Sequence, residues 1–126
     1  MWGNEEVLAA TILVVDDHTA NRALAQAILE EDGHIVVLAA SGQEALDSFA
    51  AAPADCVLLD VRMPGLDGLA VCTRLRLLPG GADTPIIFLT ASRDVDTFDR
   101  AQLAGGDDFL TKPVQIGRAS CRERVC

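Results

Sequence analysis

The feature that most constrains the fold of this chain is a set of short, largely apolar runs separated by longer amphipathic stretches. The runs occupy residues 11–15, 34–39, 55–60, 85–90 and 107–111. Runs of this length, bounded by polar residues, are typical of strands buried on both faces of a parallel sheet. Because parallel strands need helical crossovers between them, the pattern predicts an α/β protein with helices on both faces of the sheet.

Residues suited to helix ends separate the predicted strands. Each predicted N-cap has a side chain that can accept a hydrogen bond from the first turn of a helix. These N-caps are Thr19, Ser41, Asp67 and Asp94. In the first helix, Leu24, Ala27 and Ile28 fall on one face at helical spacing and are predicted to point inward.

Composition argues against several classes of function. Nineteen acidic residues oppose ten basic ones, so the net charge is −9 and direct binding to nucleic acid or to anionic membranes is not expected. None of the four cysteines forms a C-x-x-C pair, which argues against a zinc site, and Cys56 and Cys72 are interpreted as buried. Neither a signal peptide nor an apolar run of membrane length is present, so a cytoplasmic location is expected.

Reactive side chains lie at the ends of four predicted strands. Asp16 and Asp17 follow the first strand, Asp60 ends the third, Thr90 ends the fourth, and Lys112, the only lysine of the chain, follows the fifth. Ligands of open α/β sheets bind at the carboxyl ends of the strands, so we expect these side chains to meet. Carboxylate oxygens suit Mg²⁺, which would also relieve their mutual repulsion, and a lysine adds a positive charge for an anion. The sequence therefore predicts a site for Mg²⁺ and a phosphate group.

Four segments at these strand ends resemble the receiver domain of bacterial two-component response regulators, the CheY-like domains. The segments are Ile12-Leu-Val-Val-Asp-Asp17, Leu58-Leu-Asp-Val-Arg-Met-Pro-Gly-Leu-Asp-Gly68, Pro85-Ile-Ile-Phe-Leu-Thr-Ala91 and Asp108-Phe-Leu-Thr-Lys-Pro113. The resemblance covers residues 11–114 and implies a flavodoxin-like, doubly wound, five-stranded parallel sheet of order 2-1-3-4-5. Asn21-Arg22 is similar to receivers attached to hybrid sensor kinases, and a larger response regulator is the alternative source.

The resemblance implies a role for each acid. Asp60 would accept a phosphoryl group from the phosphohistidine of a sensor histidine kinase or of a phosphotransfer protein. Mg²⁺ would be bound directly by Asp17, by Asp60 and by the backbone carbonyl of Arg62, whereas Asp16 would act mainly through water. Such a domain catalyses only its own phosphorylation and slow dephosphorylation, so it is not expected to be an enzyme with a separate substrate.

The same resemblance implies how the domain responds to phosphorylation. Lys112 would pair with the phosphoryl group, and Thr90 would be the switch hydroxyl that moves toward it. Phe109, at a position where family members often carry tyrosine, would follow into the vacated space beside the fourth strand. His18 follows the acid pair and is interpreted as a surface loop residue, with contact to the pocket as the alternative.

Both ends of the chain are predicted to lie outside the core of the domain. Residues 1–10 are interpreted as a leader, residues 11–116 as the receiver domain, and residues 117–126 as a truncated last helix or a non-native tail, with a short native helix as the alternative. Gly117 and the scarcity of apolar residues weaken a fifth helix. If the last helix does not cover its face of the sheet, apolar surface stays exposed, so association into a homodimer is a further expectation.

Other functions compete with the phosphorylated switch. A pseudo-receiver that acts as a constitutive interaction module would have lost site residues, but all five are intact. A phosphatase with an aspartate nucleophile needs a second acid two residues later, where this chain has Arg62. Flavodoxin-like cofactor binding lacks a phosphate-cradling loop after the first strand. The pseudo-receiver is therefore the main alternative.

Overall fold

The computed structural model of this chain describes residues 10–61, 63, 65–90 and 105–111. The strands are β1 (Thr11–Val15), β2 (Ile35–Ala39), β3 (Cys56–Asp60), β4 (Ile86–Thr90) and β5 (Asp108–Thr111). The helices within these residues are α1 (Thr19–Glu31), α2 (Gly42–Ala51) and α3 (Gly68–Leu75). Every strand begins within one residue of its predicted run and ends at the predicted residue. The predicted helix from Asp94 and the predicted last helix lie outside the described residues.

The five strands form one parallel sheet in the order β2-β1-β3-β4-β5, which confirms the predicted doubly wound fold. The strand order reverses between β1 and β3, so these neighbours flank the point at which such sheets bind ligands. The register pairs Val15 with Leu59 and Asp60 with Leu89. The residues that follow β1 and the residue that ends β3 therefore lie side by side.

Each face of the sheet buries its own apolar cluster. Along β1, Leu13 and Val15 belong to one cluster, whereas Ile12 and Val14 belong to the other. Helices α2 and α3 contribute to the first cluster and α1 to the second. A large apolar side chain buried in this way stabilises the fold by roughly 1.5–3 kcal/mol. The central strands are thus fixed on both faces, and their carboxyl ends are fixed with them.

Helix α1, with 13 residues, is the longest in the described part of the chain, where no helix is long and apolar enough to cross a membrane. The prediction of its inward face was wrong. Ala25 and Leu29 are buried, whereas Leu24 is 42% exposed and Ala27 is also exposed. Neighbouring positions on a helix differ by about 100°, so apolar spacing alone did not distinguish adjacent stripes of this helix.

Two predicted N-caps are confirmed and one is wrong. Ser41 Oγ and Asp67 Oδ1 accept backbone N–H groups from the first turns of α2 and α3, at 3.1 and 2.9 Å. The N-cap of α1 is His18, because the extended backbone conformation (φ −97°, ψ 123°) falls on that residue. Thr19 is already helical, and its hydroxyl does not cap the helix.

Polar side chains at the amino edge of the sheet accept N–H groups at the beginnings of strands. The pairs are Thr11 N–H with Asp55 Oδ2 at 2.9 Å, Ala10 N–H with His34 Nδ1 at 3.0 Å, and Ile86 N–H with Asp107 Oδ2 at 2.7 Å. These bonds satisfy backbone donors that a strand partner does not reach. They hold the amino ends of β1 and β4 in register.

Arg76, directly after α3, ties the loop before β4 to the loop before β5. Its guanidinium donates hydrogen bonds to the carbonyl oxygens of Gly81, Thr84 and Gly105. It also forms an ion pair with Asp107, at 2.9 Å between Nη2 and Oδ2. The amino end of β5 is therefore anchored through one partly buried side chain.

Candidate functional site

The loop between β1 and α1 places two acids at the carboxyl edge of the sheet. The Asp16 N–H donates to the Ala39 carbonyl of β2 at 3.1 Å, which extends the pairing past the end of β1. Asp16 Oδ1 accepts the His18 N–H at 2.9 Å, and the residue is 1% exposed. The Asp17 side chain is 24% exposed. The loop thus turns Asp16 into the protein and leaves Asp17 nearer to the solvent.

Asp60 ends β3 at the same edge and is 2% exposed. Its backbone is fixed by the pairing with β4, since the Val61 N–H donates to the Leu89 carbonyl at 3.1 Å. Gly68 packs on it from the other side: a Cβ on Gly68 would come within 2.0 Å of the Asp60 carbonyl oxygen. Helix α3 can begin against Asp60 because position 68 has no side chain.

These acids converge, together with one histidine. Single ligand atoms of Asp16, Asp17, His18 and Asp60 all lie within 4.8 Å of one another. Asp17 Oδ1 is shielded from solvent and lies within this group of ligand atoms, so it is placed to serve a cation. A set of carboxylate oxygens is the donor chemistry that Mg²⁺ prefers. The side chains present therefore fit the ion that the sequence predicts.

His18 lies against the cluster, although the sequence suggested a surface residue outside it. Its side chain is 68% exposed, yet Nδ1 lies 3.1 Å from Asp17 Oδ1 and 3.5 Å from Asp16 Oδ1. Imidazole nitrogen suits transition metals, whereas Mg²⁺ takes oxygen ligands. We therefore assign His18 to the solvent side of the cluster, as a partner of Asp17. Its position directly after the acid pair is the signal that could have identified it.

The remaining predicted site residues are described in part or lie outside the described residues. Thr90 ends β4 and pairs in register with Thr111, the last residue of β5. Both backbones thus reach the carboxyl edge, and Lys112 is the next residue in the sequence. Phe109 pairs in register with Phe88. For Thr90 and Phe109 the structure describes the backbone, and Arg62 and Lys112 lie outside the described residues.

Comparison with protein families gives one match, the response regulator receiver domain, over residues 12–120. The response regulator MprA of Mycolicibacterium vanbaalenii is 45% identical over 114 residues, which cover 90% of this chain and 48% of MprA. The signal transduction histidine-protein kinase BarA of Escherichia coli K12 is 36% identical over 115 residues, which cover 91% of this chain and 12% of BarA. The chain thus spans about half the length of MprA and a small part of BarA.

Solved structures have the same fold. The chemotaxis protein CheY4 of Vibrio cholerae superimposes with a TM-score of 0.87 at 28% identity, over 94% of this chain and 99% of that protein. The signal receiver domain of a histidine kinase from Syntrophus aciditrophicus gives a TM-score of 0.81 at 33% identity, over 92% of this chain and 89% of that domain. Similar proteins therefore include a chemotaxis protein, response regulators and receiver domains of histidine kinases.

Proposed function

Because this chain belongs to the response regulator receiver domain family, we propose that Asp60 is the residue that accepts its phosphoryl group. The chain is a receiver domain of two-component signalling. One observation carries the choice of Asp60: it is the buried acid that ends β3, with oxygens of Asp16 and Asp17 within 4.8 Å of it. A carboxylate in that place can react while its neighbours hold a cation.

The proposed reaction is transfer from a phosphohistidine. A carboxylate oxygen of Asp60 attacks the phosphorus, the phosphorus–nitrogen bond breaks, and the freed imidazole keeps the electron pair. Asp17, Asp60 and the backbone carbonyl of Arg62 would hold Mg²⁺, with Asp16 acting through water. When bound, the ion supplies charge neutralisation, which is most of what phosphoryl transfer requires. The protein contributes position, since β1 and β3 fix both acids before the phosphodonor arrives.

The response to phosphorylation is proposed to begin at Thr90 and Lys112. The Lys112 ammonium would pair with the phosphoryl oxygens, and the Thr90 hydroxyl would donate to one of them. Movement of Thr90 would allow Phe109 to change its packing beside β4. In these terms the phosphoryl group biases an equilibrium between two packings of the same domain.

The proposed phosphodonor is a sensor histidine kinase or a phosphotransfer protein. Direct contact with nucleic acid is not part of the proposal, because the net charge is −9. We also propose that the protein forms a homodimer and lies in the cytoplasm. The domain would catalyse only its own phosphorylation and slow dephosphorylation.

The test uses beryllofluoride with Mg²⁺ on wild type, Asp60→Asn and Asp55→Asn, followed by two-dimensional amide NMR. Asp55 is the matched control, because it is an acid at the opposite edge of the same sheet. In the presence of Mg²⁺ we expect beryllofluoride to shift the signals of the carboxyl edge in wild type and Asp55→Asn but not in Asp60→Asn. Acetyl phosphate should add the mass of one phosphoryl group to the same two proteins. A response that survived Asp60→Asn would place the acceptor elsewhere, and no response in wild type would favour the pseudo-receiver.

A further inference from the structure

Arg22, in the first turns of α1, reaches back to the loop that carries the two acids. Its Nη1 donates a hydrogen bond to the backbone carbonyl of Asp16 at 2.7 Å. Its Nη2 donates to Thr19 Oγ1 at 3.2 Å, which holds the guanidinium against the helix. Its own backbone N–H donates to the His18 carbonyl at 3.1 Å, so the residue belongs to the rigid start of the helix. Arg22 thus joins α1 to the end of β1.

The carbonyl that Arg22 holds belongs to the peptide between Asp16 and Asp17. A peptide group is planar, so fixing its oxygen fixes the orientation of the plane and the direction in which the Asp17 side chain leaves the backbone. The other side of Asp16 is fixed as well, because its N–H donates to the Ala39 carbonyl. The contacts of Arg22 therefore restrain the backbone on which Asp17 is carried.

The charge of Arg22 has the opposite influence on a metal ion. Both hydrogen bonds of its guanidinium to described residues go to neutral oxygens, the Asp16 carbonyl and the Thr19 hydroxyl. It therefore leaves the carboxylates of the cluster to other partners. A positive charge beside a cation site repels the cation, so electrostatics alone would make Arg22 unfavourable for Mg²⁺. Geometry and charge predict effects of opposite sign when Arg22 is replaced.

We propose that Arg22 is a positioning residue of the Mg²⁺ site, which aligns Asp17 by holding the peptide between the two acids. The inference rests on the proposed function, because it concerns the same Mg²⁺ site. In many proteins, removing a group that hydrogen-bonds to a metal ligand and orients it lowers the affinity for the metal by about 10-fold or more. Here the group is a side chain that acts through the backbone of the ligand.

The test is isothermal titration calorimetry with MgCl₂ at constant ionic strength on wild type, Arg22→Gln, Arg22→Lys and Arg74→Gln. Arg22→Gln should raise the dissociation constant of Mg²⁺ by about 10-fold, although a repelling charge has been removed. Arg22→Lys keeps the charge and one donor nitrogen but loses the two separate nitrogens of the guanidinium, so its affinity should fall between those of wild type and Arg22→Gln. Arg74→Gln makes the same charge change at an exposed position on α3 and should bind as wild type does.

A simple charge effect gives the reverse result. Arg22→Gln would then bind Mg²⁺ as tightly as wild type or more tightly, and Arg22→Lys would match wild type; either outcome overturns the inference. Far-UV circular dichroism and urea titration show whether each variant is folded, and if Arg22→Gln does not fold, Arg22→Lys decides. Titrations of wild type and Asp17→Asn show whether a negative result contradicts the role of Arg22 or the proposed Mg²⁺ site itself. If wild type does not bind Mg²⁺, or Asp17→Asn binds it equally well, the proposed site itself is wrong.

Discussion

Aspartate side chains lie at both edges of the sheet, but they stabilise the fold at one edge and form the candidate metal site at the other. At the amino edge, Asp55 and Asp107 each accept the N–H group with which a strand begins. At the carboxyl edge, Asp17 and Asp60 are brought toward each other and toward Asp16. Bonds to backbone N–H groups stabilise the fold, whereas bringing carboxylates together costs stability unless a cation joins them. The comparison predicts that substitutions at one edge change stability and those at the other change ligand binding.

The largest effect is expected at the carboxyl edge, for Asp17→Asn. The amide keeps the shape of the side chain but removes the charge that Mg²⁺ needs, so the affinity for Mg²⁺ should fall by about 100-fold. Without Mg²⁺ the free energy of unfolding should rise by about 1 kcal/mol, because one carboxylate no longer repels its neighbours. Calorimetry with MgCl₂ and urea denaturation in the absence of divalent ions measure the two changes. If Asp17→Asn lost stability and kept its Mg²⁺ affinity, the proposed difference in role between the two edges would be wrong.

The next largest effect is expected at the amino edge, for Arg76→Met. Methionine retains much of the apolar stem but removes the ion-pair partner of Asp107 and the donor to the carbonyl oxygens of Gly81 and Thr84. The free energy of unfolding should fall by about 2–3 kcal/mol, as measured by urea denaturation. The affinity for Mg²⁺ should stay at the wild-type value, because β1 and β3 carry the acids.

Arg74→Met is the matched control for this change, since Arg74 is an exposed arginine in the last turn of α3, two residues before Arg76. Its stability should remain close to that of wild type. If Arg76→Met were no less stable than Arg74→Met, the contacts of Arg76 would not anchor β5. If it instead lost Mg²⁺ affinity, the two edges would be coupled through the sheet.

Two acceptors at the amino edge allow a finer comparison. His34 is 4% exposed and Asp55 is exposed, yet each accepts one N–H near the start of β1. His34→Leu should cost about 1–2 kcal/mol, because the Ala10 N–H loses its acceptor away from water. Asp55→Ala should cost less, about 0.5 kcal/mol, because water can replace the carboxylate at the Thr11 N–H. Thermal or urea unfolding measures both, and equal costs would show that burial does not govern these bonds.

The sequence predicted the strands well for a physical reason. Each strand is a run of apolar residues bounded by turn formers, so both ends are marked by the residues themselves. The meeting of Asp16 with Asp60 was also accessible, because the carboxyl ends of parallel strands lie at one edge. The sequence alone could not supply contacts that depend on register. Asp55 lies 44 residues from Thr11, and only the pairing of β1 with β3 brings them together.

Helix α1 shows a second limit of sequence analysis. Leu24 and Ile28 have the same i, i+4 spacing as Ala25 and Leu29, and the sheet buries the second pair. Leu24 and Ile28 are the larger apolar pair at this spacing, so the sequence favours them for the inward face. The choice between stripes is decided by packing against this face of the sheet, where Ala25 and Leu29 join the buried cluster that contains Ile12 and Val14 of β1. Arg22, on the same helix, is a further example, because the sequence shows its similarity to receivers of hybrid sensor kinases but not its hydrogen bond to the Asp16 carbonyl.

The last effect, which depends on pH, is expected inside the core, between the edges, at Cys72. Burial raises the pKa of its thiol from 9.0 to about 11, while the nearby Arg76 charge lowers that pKa and Asp107 raises it. In the unfolded chain the thiol loses its proton near pH 9, whereas the folded protein keeps it up to about pH 11. Deprotonation therefore favours the unfolded chain, and the contribution of Cys72 to stability, complete below pH 9, should disappear as the pH rises toward 11.

Urea denaturation of wild type and Cys72→Ala across this pH range isolates the contribution of the thiol. The variant lacks that thiol and should be less stable than wild type below pH 9, because it leaves a small cavity, but its stability should decline less steeply between pH 9 and pH 11. The difference between the two slopes belongs to Cys72, since every other titrating group is common to both proteins. Repeating the pair in the Arg76→Met background removes the charge that lowers the pKa of the folded thiol, so the difference should still begin to close near pH 9 but should go on closing to a higher pH. If the stability of wild type and of Cys72→Ala changed in parallel with pH in both backgrounds, the thiol would be solvated in the folded protein and the core beside Arg76 would be open to water.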